Sequence, residues 1–172
     1  MSIPSSAPQI DILMATYNGV DFLAAQIRSL QSQTFTDWRL IVHDDGSTDG
    51  TVDLVRRFMA QDSRILLADD GLLFHGPALN FMHLLTLSDA PFAIFCDQDD
   101  IWKPDKIEVT YRAMKAAEEK ENGPILVFTD AESYDDVSKT DIGSFHKMSH
   151  LDTKKVDTAH LFMENKCIGC TI

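Results

Sequence analysis

Short apolar runs alternate along the chain with stretches in which apolar residues return every third or fourth position. The run Ile10-Asp-Ile-Leu-Met-Ala-Thr16 reads as a buried strand and breaks at Tyr17-Asn18-Gly19, a turn signal. Leu23, Ile27 and Leu30 then fall at i, i+4 and i+7, one face of a helix. Trp38 to His43 reads as a second strand, stopped by Asp44-Asp45-Gly46-Ser47. The helix after it carries Val52, Val55 and Phe58/Met59, with Thr48 or Asp49 as N-cap. Arg64 to Ala68 predicts a third strand, and Pro77 to Leu87 a helix opening on proline, which a first turn tolerates. Phe92 to Cys96 is a fourth strand running into Asp97-Gln98-Asp99-Asp100, and Ile107, Tyr111 and Met114 mark a helix from about Pro104. Ile125 to Thr129 reads as a fifth strand; beyond Asp130 the period is lost in a polar stretch to about Lys155. Met1 to Gln9, rich in proline and serine, reads as a loose leader, leaving 10–172 as a single domain.

Near-continuous apolar strands alternating with amphipathic helices predict an α/β fold, a mainly parallel sheet flanked by helices on both faces. Three polar clusters, Thr16-Tyr17-Asn18, Asp44-Asp45 and Asp97 to Asp100, each follow the C-terminal end of a strand. In open α/β sheets ligands bind in the crevice outside those ends, and neighbouring strands lie only about 4.8 Å apart. The three clusters are therefore expected to converge on one ligand.

Composition narrows what that ligand is. The chain of 172 residues is 44% hydrophobic and carries 15 Lys and Arg against 27 Asp and Glu, a net charge of −12. Such a surface repels phosphate backbones and anionic headgroups, so nucleic acid is excluded as a first reading and an anionic substrate needs a cation between it and the protein. The first basic residue is Arg28, so no signal-peptide basic region is present, and every apolar run falls well short of the roughly 20 residues of a membrane helix. Three cysteines, an odd number, read as reduced thiols of a cytoplasm-like compartment. Cys167-Ile-Gly-Cys170 has a CxxC spacing that zinc or redox chemistry uses, yet it lacks a second CxxC or a following pair of histidines.

Asp97, Asp99 and Asp100 are three carboxylates within one short turn, which repel one another unless a cation lies among them. Hard divalent ions such as Mg²⁺ or Mn²⁺ accept carboxylate oxygens and keep positions open for substrate phosphates. The alternative is a solvated acidic turn capping the helix near Pro104. Asp45 reads as an acceptor for a base or ribose, as part of a turn and N-cap, or as both. A calcium loop starting at Asp45 is excluded, because its twelfth position, which requires a bidentate Glu, is Arg56. No GxGxxG follows the first strand, and neither a P-loop nor a GxSxG nucleophile motif occurs. The six histidines show no HExxH spacing and read as surface or core residues. Trp38 and Trp102 have rings that stack a sugar or base, or fill the core.

Taken in order, Met14-Ala-Thr-Tyr-Asn-Gly19, Ser32-Gln-Thr-Phe35, Asp44-Asp-Gly-Ser-Thr-Asp-Gly-Thr51, Phe95-Cys-Asp-Gln-Asp-Asp-Ile-Trp102 and Pro104-Asp-Lys106 resemble family 2 glycosyltransferases. The spacing is similar to the GT-A nucleotide-binding half, and the Asp-Gln-Asp-Asp-Ile-Trp form resembles the bacterial rhamnosyltransferase-like branch that builds cell-surface polysaccharides. The resemblance runs from about residue 10 to 130, and more weakly to Asn165-Lys-Cys-Ile-Gly-Cys170, similar to the family's acceptor-side segment. It implies that Ala15, Thr16 and Tyr17 lie against the nucleotide base and that Asp45 pairs with a uracil- or thymine-type ring. It further implies that Asp97-Gln98-Asp99 is the DXD motif, with Asp97 facing ribose and metal, Gln98 within the nucleotide site, and Asp99 ligating the Mn²⁺ or Mg²⁺ that bridges the diphosphate. Gly76 and Asn80 fall on a Gly-xxx-Asn-Phe pattern of the family, to which no role is assigned.

The reaction implied is inverting transfer of a sugar, rhamnose among the options, from a UDP- or dTDP-type donor to a glycan or lipid-linked glycan. Its place would be the cytoplasm or the inner face of the plasma membrane. The family's general base sits on a later segment; Asp130, Asp135, Asp136 and Asp141 do not match its position. The base is thus expected beyond Ile172, and the chain is expected to be a donor-binding half, truncated before the base. A non-catalytic nucleotide-sugar-binding domain is the alternative, whereas a nucleotidyltransferase would need a basic, glycine-rich loop where Tyr17-Asn18-Gly19-Val20-Asp21 stands.

Overall fold

The computed structural model describes residues 8–135 and 137–150. One compact unit runs to Arg112 and a second begins at Ala113. In the first, β1 (Ile10–Thr16), α1 (Val20–Gln31), β2 (Trp38–Asp44), α2 (Thr51–Met59), β3 (Ile65–Leu67), α3 (Pro77–Leu87) and β4 (Phe92–Cys96) follow the expected alternation. Helix α4 (Lys106–Glu118) begins in this unit and runs on into the second. The sheet has order β3-β2-β1-β4 and every pair is parallel. No helix among the described residues is long and apolar enough to cross a membrane.

Successive residues of a strand face opposite sides, and the core divides accordingly. Ile10, Ile12 and Met14 of β1, with Leu40, Val42, Ile94 and Cys96, pack against Leu23, Ile27 and Leu30 of α1, Val55 and Phe58 of α2 and Ile107 of α4. Leu13 and Ile41 face the other way onto Leu84 of α3, flanked by Phe81 and Phe95. Both tryptophans belong to the core. Trp38 lies under the Arg64 guanidinium at 3.8 Å, and Trp102 is buried, so neither offers a face for sugar stacking.

The alternation also buries a charge. Asp11, on the α3 side of β1, is fully buried opposite Arg39 of β2. Arg39 Nε donates to Asp11 Oδ1 at 2.8 Å and Nη2 to Oδ2 at 2.7 Å, while the Ser88 hydroxyl and the Asp89 and Ala90 amides also donate to Oδ2. Burial raises the Asp11 carboxyl, but these donors outweigh it and hold it below the usual range.

Loops after the strands are stitched together by side chains. Asn18 N donates to Ser47 Oγ, Gly19 N to Thr51 Oγ1 and Val20 N to Asp49 Oδ2, while Asn18 Oδ1 accepts from Thr48 N. Asp44 accepts from Thr16 Oγ1 and from the Gly46 and Ser47 amides, closing an Asx turn. Gln98 reaches across from the β4 end, its Oε1 accepting from Tyr17 N and its Nε2 donating to Tyr17 O, both at 3.0 Å. This pair leaves no room above Gly19, where an added Cβ would lie 2.2 Å from Gln98 Oε1.

The helix expected to be capped by Thr48 or Asp49 instead has Gly50 at its cap, in the left-handed region at φ +97°, with Asp49 Oδ1 accepting from Thr51 N. An αL position suits glycine and not a side chain, which moves the capping carboxylate one residue outward. Residues 125–129 form no strand, and Leu126 is 55% exposed. A strand exists only with a ladder partner, which periodicity cannot supply. In the second unit the stretch read as aperiodic holds an antiparallel hairpin, β5 (Glu132–Asp135) with β6 (Thr140–Ser144), followed by the short α5 (Phe145–Met148). Asp135 accepts from Val137 N in the hairpin turn, and Asp141 from Gly143 N within β6. Residues 1–7 of the leader, Asp136, and the segment holding Asn165 and Cys167 to Cys170 lie outside the described residues.

Asp11→Ala leaves the Arg39 guanidinium with Asp89 alone and takes the acceptor from the Ser88 hydroxyl and the Asp89 and Ala90 amides, and should cost roughly 3 kcal/mol in denaturant unfolding; a change within about 0.5 kcal/mol would show the pair to be dispensable. Arg64, and then Gln31, hold Asp62 at about 2. Since the folded-state values of Asp11 and Asp62 lie below the ordinary 3.8, their stabilisation is present above that value and is lost as the pH falls toward 2. Acid titration of the melting temperature should therefore show a decline in that window, shallower in Asp11→Asn. Gly19→Ala should open the Gln98–Tyr17 pair and lower the melting temperature, and Gln98→Ala should abolish most of that penalty in the double variant; additive losses would refute the clash.

Candidate functional site

A cavity of about 550 Å³ lies at the C-terminal ends of β1, β2 and β4. Parallel registers that pair Thr16 with Asp44 and Met14 with Cys96 bring these ends to one rim. Ala15, Thr16 and Tyr17 enter the wall from β1, Asp45 from the β2 end, and Asp97, Gln98 and Asp99 from the β4 end. All seven residues singled out for nucleotide or metal thus meet in one place. Asp100, the third carboxylate of the expected trio, does not line it. The acidic turn is divided because the chain there bends under α1 and buries Trp102.

Asp45 is nearly buried, and its Oδ1 accepts from Phe74 N at 2.6 Å and His75 N at 3.1 Å, its Oδ2 from Gly76 N at 2.8 Å. Burial alone would raise its carboxyl; the three amides overcome this and lower it, keeping Asp45 ionised through neutral pH. A carboxylate has about four lone-pair sites, so one direction is left for a further N–H donor in the cavity. The same bonds hold His75 in the left-handed region at φ +53° and set the start of α3. His75, Gly76 and Pro77 join the wall in this way, with Asn80 and Phe81 behind them. Nothing in the sequence signals the 74–76 loop as Asp45's partner.

Thr16 and Gln98 both line the cavity, with their polar groups engaged by the protein itself. The Thr16 hydroxyl is spent on Asp44 and the Gln98 amide on the Tyr17 backbone, so both shape the wall. The Tyr17 ring is 60% exposed at the mouth. Asp97 is half-buried, and burial, followed by repulsion from Asp99, raises its carboxyl. Two carboxylates whose charges oppose each other form an oxygen-only donor pair, which fits a hard divalent ion that keeps its other positions for phosphate oxygens and water. A soft or imidazole-preferring ion would not suit this set.

The floor beneath the acidic turn is held by polar residues of α1 and of the turn just after it that the hydrophobic pattern passed over. The buried Gln26 amide donates to the Asp100 carbonyl and to Ser29 Oγ and accepts from Trp102 Nε1 at 3.3 Å in the orientation that satisfies all three. Ser29 Oγ accepts from Trp102 N at 3.0 Å, and Gln33 Nε2 donates to Lys103 O at 2.7 Å. Gln26, Ser29 and Gln33 fall at i, i+3 and i+7 beside the apolar stripe, a periodicity of polar residues that could have exposed them.

Known proteins resemble this chain in sequence and in fold. The chain is 35% identical over 99 residues to the dTDP-rhamnosyl transferase RfbG of Shigella flexneri, covering 55% of this chain and 34% of RfbG. It is 35% identical over 105 residues to WfgD of Escherichia coli, a UDP-Glc:alpha-D-GlcNAc-diphosphoundecaprenol beta-1,3-glucosyltransferase, covering 61% of this chain and 40% of WfgD. The chain therefore spans well under half the length of these relatives. Its fold is similar to that of S. aureus TarS 1-349, solved with UDP-GlcNAc, at a TM-score of 0.59 and 19% identity over 73% of this chain and 40% of that one. The mannosyltransferase PcManGT from Pyrobaculum calidifontis, solved with GDP-Man and Mn²⁺, gives 0.56 and 21% over 63% and 33%. The sheet and its flanking helices are those of GT-A glycosyltransferases, and the model for glycosyl transferase family 2 matches residues 11–165: the chain belongs to that family.

Proposed function

We propose that the cavity binds the nucleoside diphosphate of a sugar donor through a divalent ion on Asp97 and Asp99, as the donor half of a bacterial glycosyltransferase. The observation that carries this reading is the meeting of Asp45 with the Asp97–Asp99 pair in one cavity of a strongly acidic chain. Asp45 accepts an N–H from a pyrimidine ring through its remaining lone pair, while the Tyr17 backbone, pinned by Gln98, forms the wall beside that base. The ion, Mn²⁺ or Mg²⁺, supplies positive charge against the diphosphate as it leaves. Asp97 and Asp99 hold that charge in place at the rim, where an acceptor hydroxyl approaches the anomeric carbon in an inverting displacement. By analogy with RfbG and WfgD, the donor is of the dTDP or UDP type, and by analogy with WfgD the acceptor is a sugar on a lipid diphosphate.

Calorimetric titration of UDP and dTDP should give binding that requires Mn²⁺ and weakens by at least about tenfold, ~1.4 kcal/mol, in Asp99→Ala. Equal binding without the ion would defeat the scheme. Because its folded-state carboxyl is raised, ionised Asp97 destabilises the metal-free chain, and that cost grows as the pH rises through its ionisation. Asp97→Asn should therefore melt higher than native protein in EDTA at neutral pH, by about 2–4 °C per kcal/mol relieved, and should lose Mn²⁺-dependent nucleotide binding. A lower melting point in that variant would contradict the repulsion.

A further inference from the structure

Behind the cavity wall lies a second group of ligand-type side chains that the donor site does not use. His43 is the penultimate residue of β2, Asp70 follows β3 and His83 is on α3. His43 Nε2 lies 3.3 Å from Asp70 Oδ1, and His83 Nε2 lies 2.7 Å from Asp70 Oδ2. The two imidazoles meet edge to face with centroids 4.9 Å apart. Among the described residues this is the group of His, Asp, Glu or Cys in which three ligand atoms, one per residue, fall within 4.8 Å of one another.

We propose that His43, Asp70 and His83 form a binding site for a borderline transition-metal ion of the Zn²⁺ type, separate from the carboxylate pair of the donor cavity. Zinc takes imidazole nitrogens at about 2.0–2.1 Å and carboxylate oxygens at about 2.0–2.2 Å, so neighbouring donors in a tetrahedron stand about 3.3 Å apart. His43 Nε2 already stands at that distance from Asp70 Oδ1, and the three ligand atoms all lie within 4.8 Å of one another, so small side-chain rotations close the set. The His43 side chain is 2% exposed, His83 15% and Asp70 34%, so the group is anchored on one side and open on the other, where a water completes the coordination. Two imidazoles and one carboxylate favour such an ion over Mg²⁺, whose preference is for oxygen alone. Zinc takes each neutral imidazole through an unprotonated Nε2, the ring proton then sitting on Nδ1, and protons compete with the ion for the same lone pairs, so binding weakens in acid.

The consequence is structural. The site joins β2, the 70–76 loop and α3, and Phe74 of that loop packs on both imidazoles with centroids 5.5 and 5.0 Å away. The Phe74 amide is one of the three that hold Asp45. An ion here therefore fastens the loop that shapes the donor cavity without touching the substrate, and the inference stands whether or not the cavity takes a nucleotide.

The test uses chelator-stripped full-length chain carrying Cys167→Ser and Cys170→Ser, so that thiolates cannot contribute. Zinc chloride titrated calorimetrically should bind with one equivalent and raise the melting temperature, while magnesium chloride should do neither. X-ray absorption at the zinc edge should report two imidazole nitrogens near 2.0 Å. Loss of an outer-shell partner alone costs 10–100-fold in metal affinity, so loss of a ligand in His83→Gln or Asp70→Asn should cost on the order of 100-fold or more. His83→Gln keeps a hydrogen-bond donor beside Asp70, and its melting temperature in EDTA reports whether it folds. Asp99→Ala should leave zinc binding intact. Absence of zinc binding in the parent, survival of it in both ligand variants, or its loss in Asp99→Ala would each overturn the proposal.

Discussion

The parallel pairing of β1 with both of its neighbours is the constraint on which the rest of the molecule depends. It fixes Thr16 opposite Asp44 and Met14 opposite Cys96, so that three chain reversals emerge at one rim within two strand spacings. A ladder slipped by one residue would turn Ile12 and Met14 out of the core and carry the polar clusters to different heights. The bidentate Asp11–Arg39 pair reinforces that register at the opposite end of the strand, where a fully buried carboxylate tolerates no other partner geometry.

Given the rim, side-chain hydrogen bonds do the detailed shaping. Asn18, Ser47, Asp49 and Thr51 lock the first loop to the second, and Gln98 locks it to the fourth strand. Asp45 organises the 74–76 loop by collecting its amides, which lets the chain adopt a left-handed residue at His75. At Asp97 the balance goes the other way, burial and then repulsion from Asp99 acting against ionisation. Asp11, Asp45 and Asp62, by contrast, are held ionised by backbone amides and guanidinium groups within a chain of net charge −12.

The first four strands and four helices were legible because each is long enough to show its period and because parallel strands, buried on both faces, read as apolar runs. Residues 125–129 misled for the converse reason: an apolar run states a preference for burial and says nothing about whether a ladder partner is at hand. The β5–β6 hairpin escaped because its exposed strand residues, Glu132 and Tyr134 among them, carry no apolar alternation. The trio of Asp97, Asp99 and Asp100 was read as a unit, since adjacency in sequence cannot reveal that the backbone turns under α1 between the second and third of them.

Ordered motifs and their positions after strands were enough, without coordinates, to establish the α/β class and to bring the three polar clusters, with their carboxylates, to one end of the sheet, because these follow from periodicity and residue type. Which atoms of those residues are available was decided only by tertiary structure. Thr16 and Gln98 spend their polar groups on the protein itself, Asp45 spends three of its lone pairs on a loop thirty residues away, and His43, Asp70 and His83 become neighbours. Hydrogen-bond capacity is finite and is allotted by proximity in space, a quantity that linear spacing does not contain.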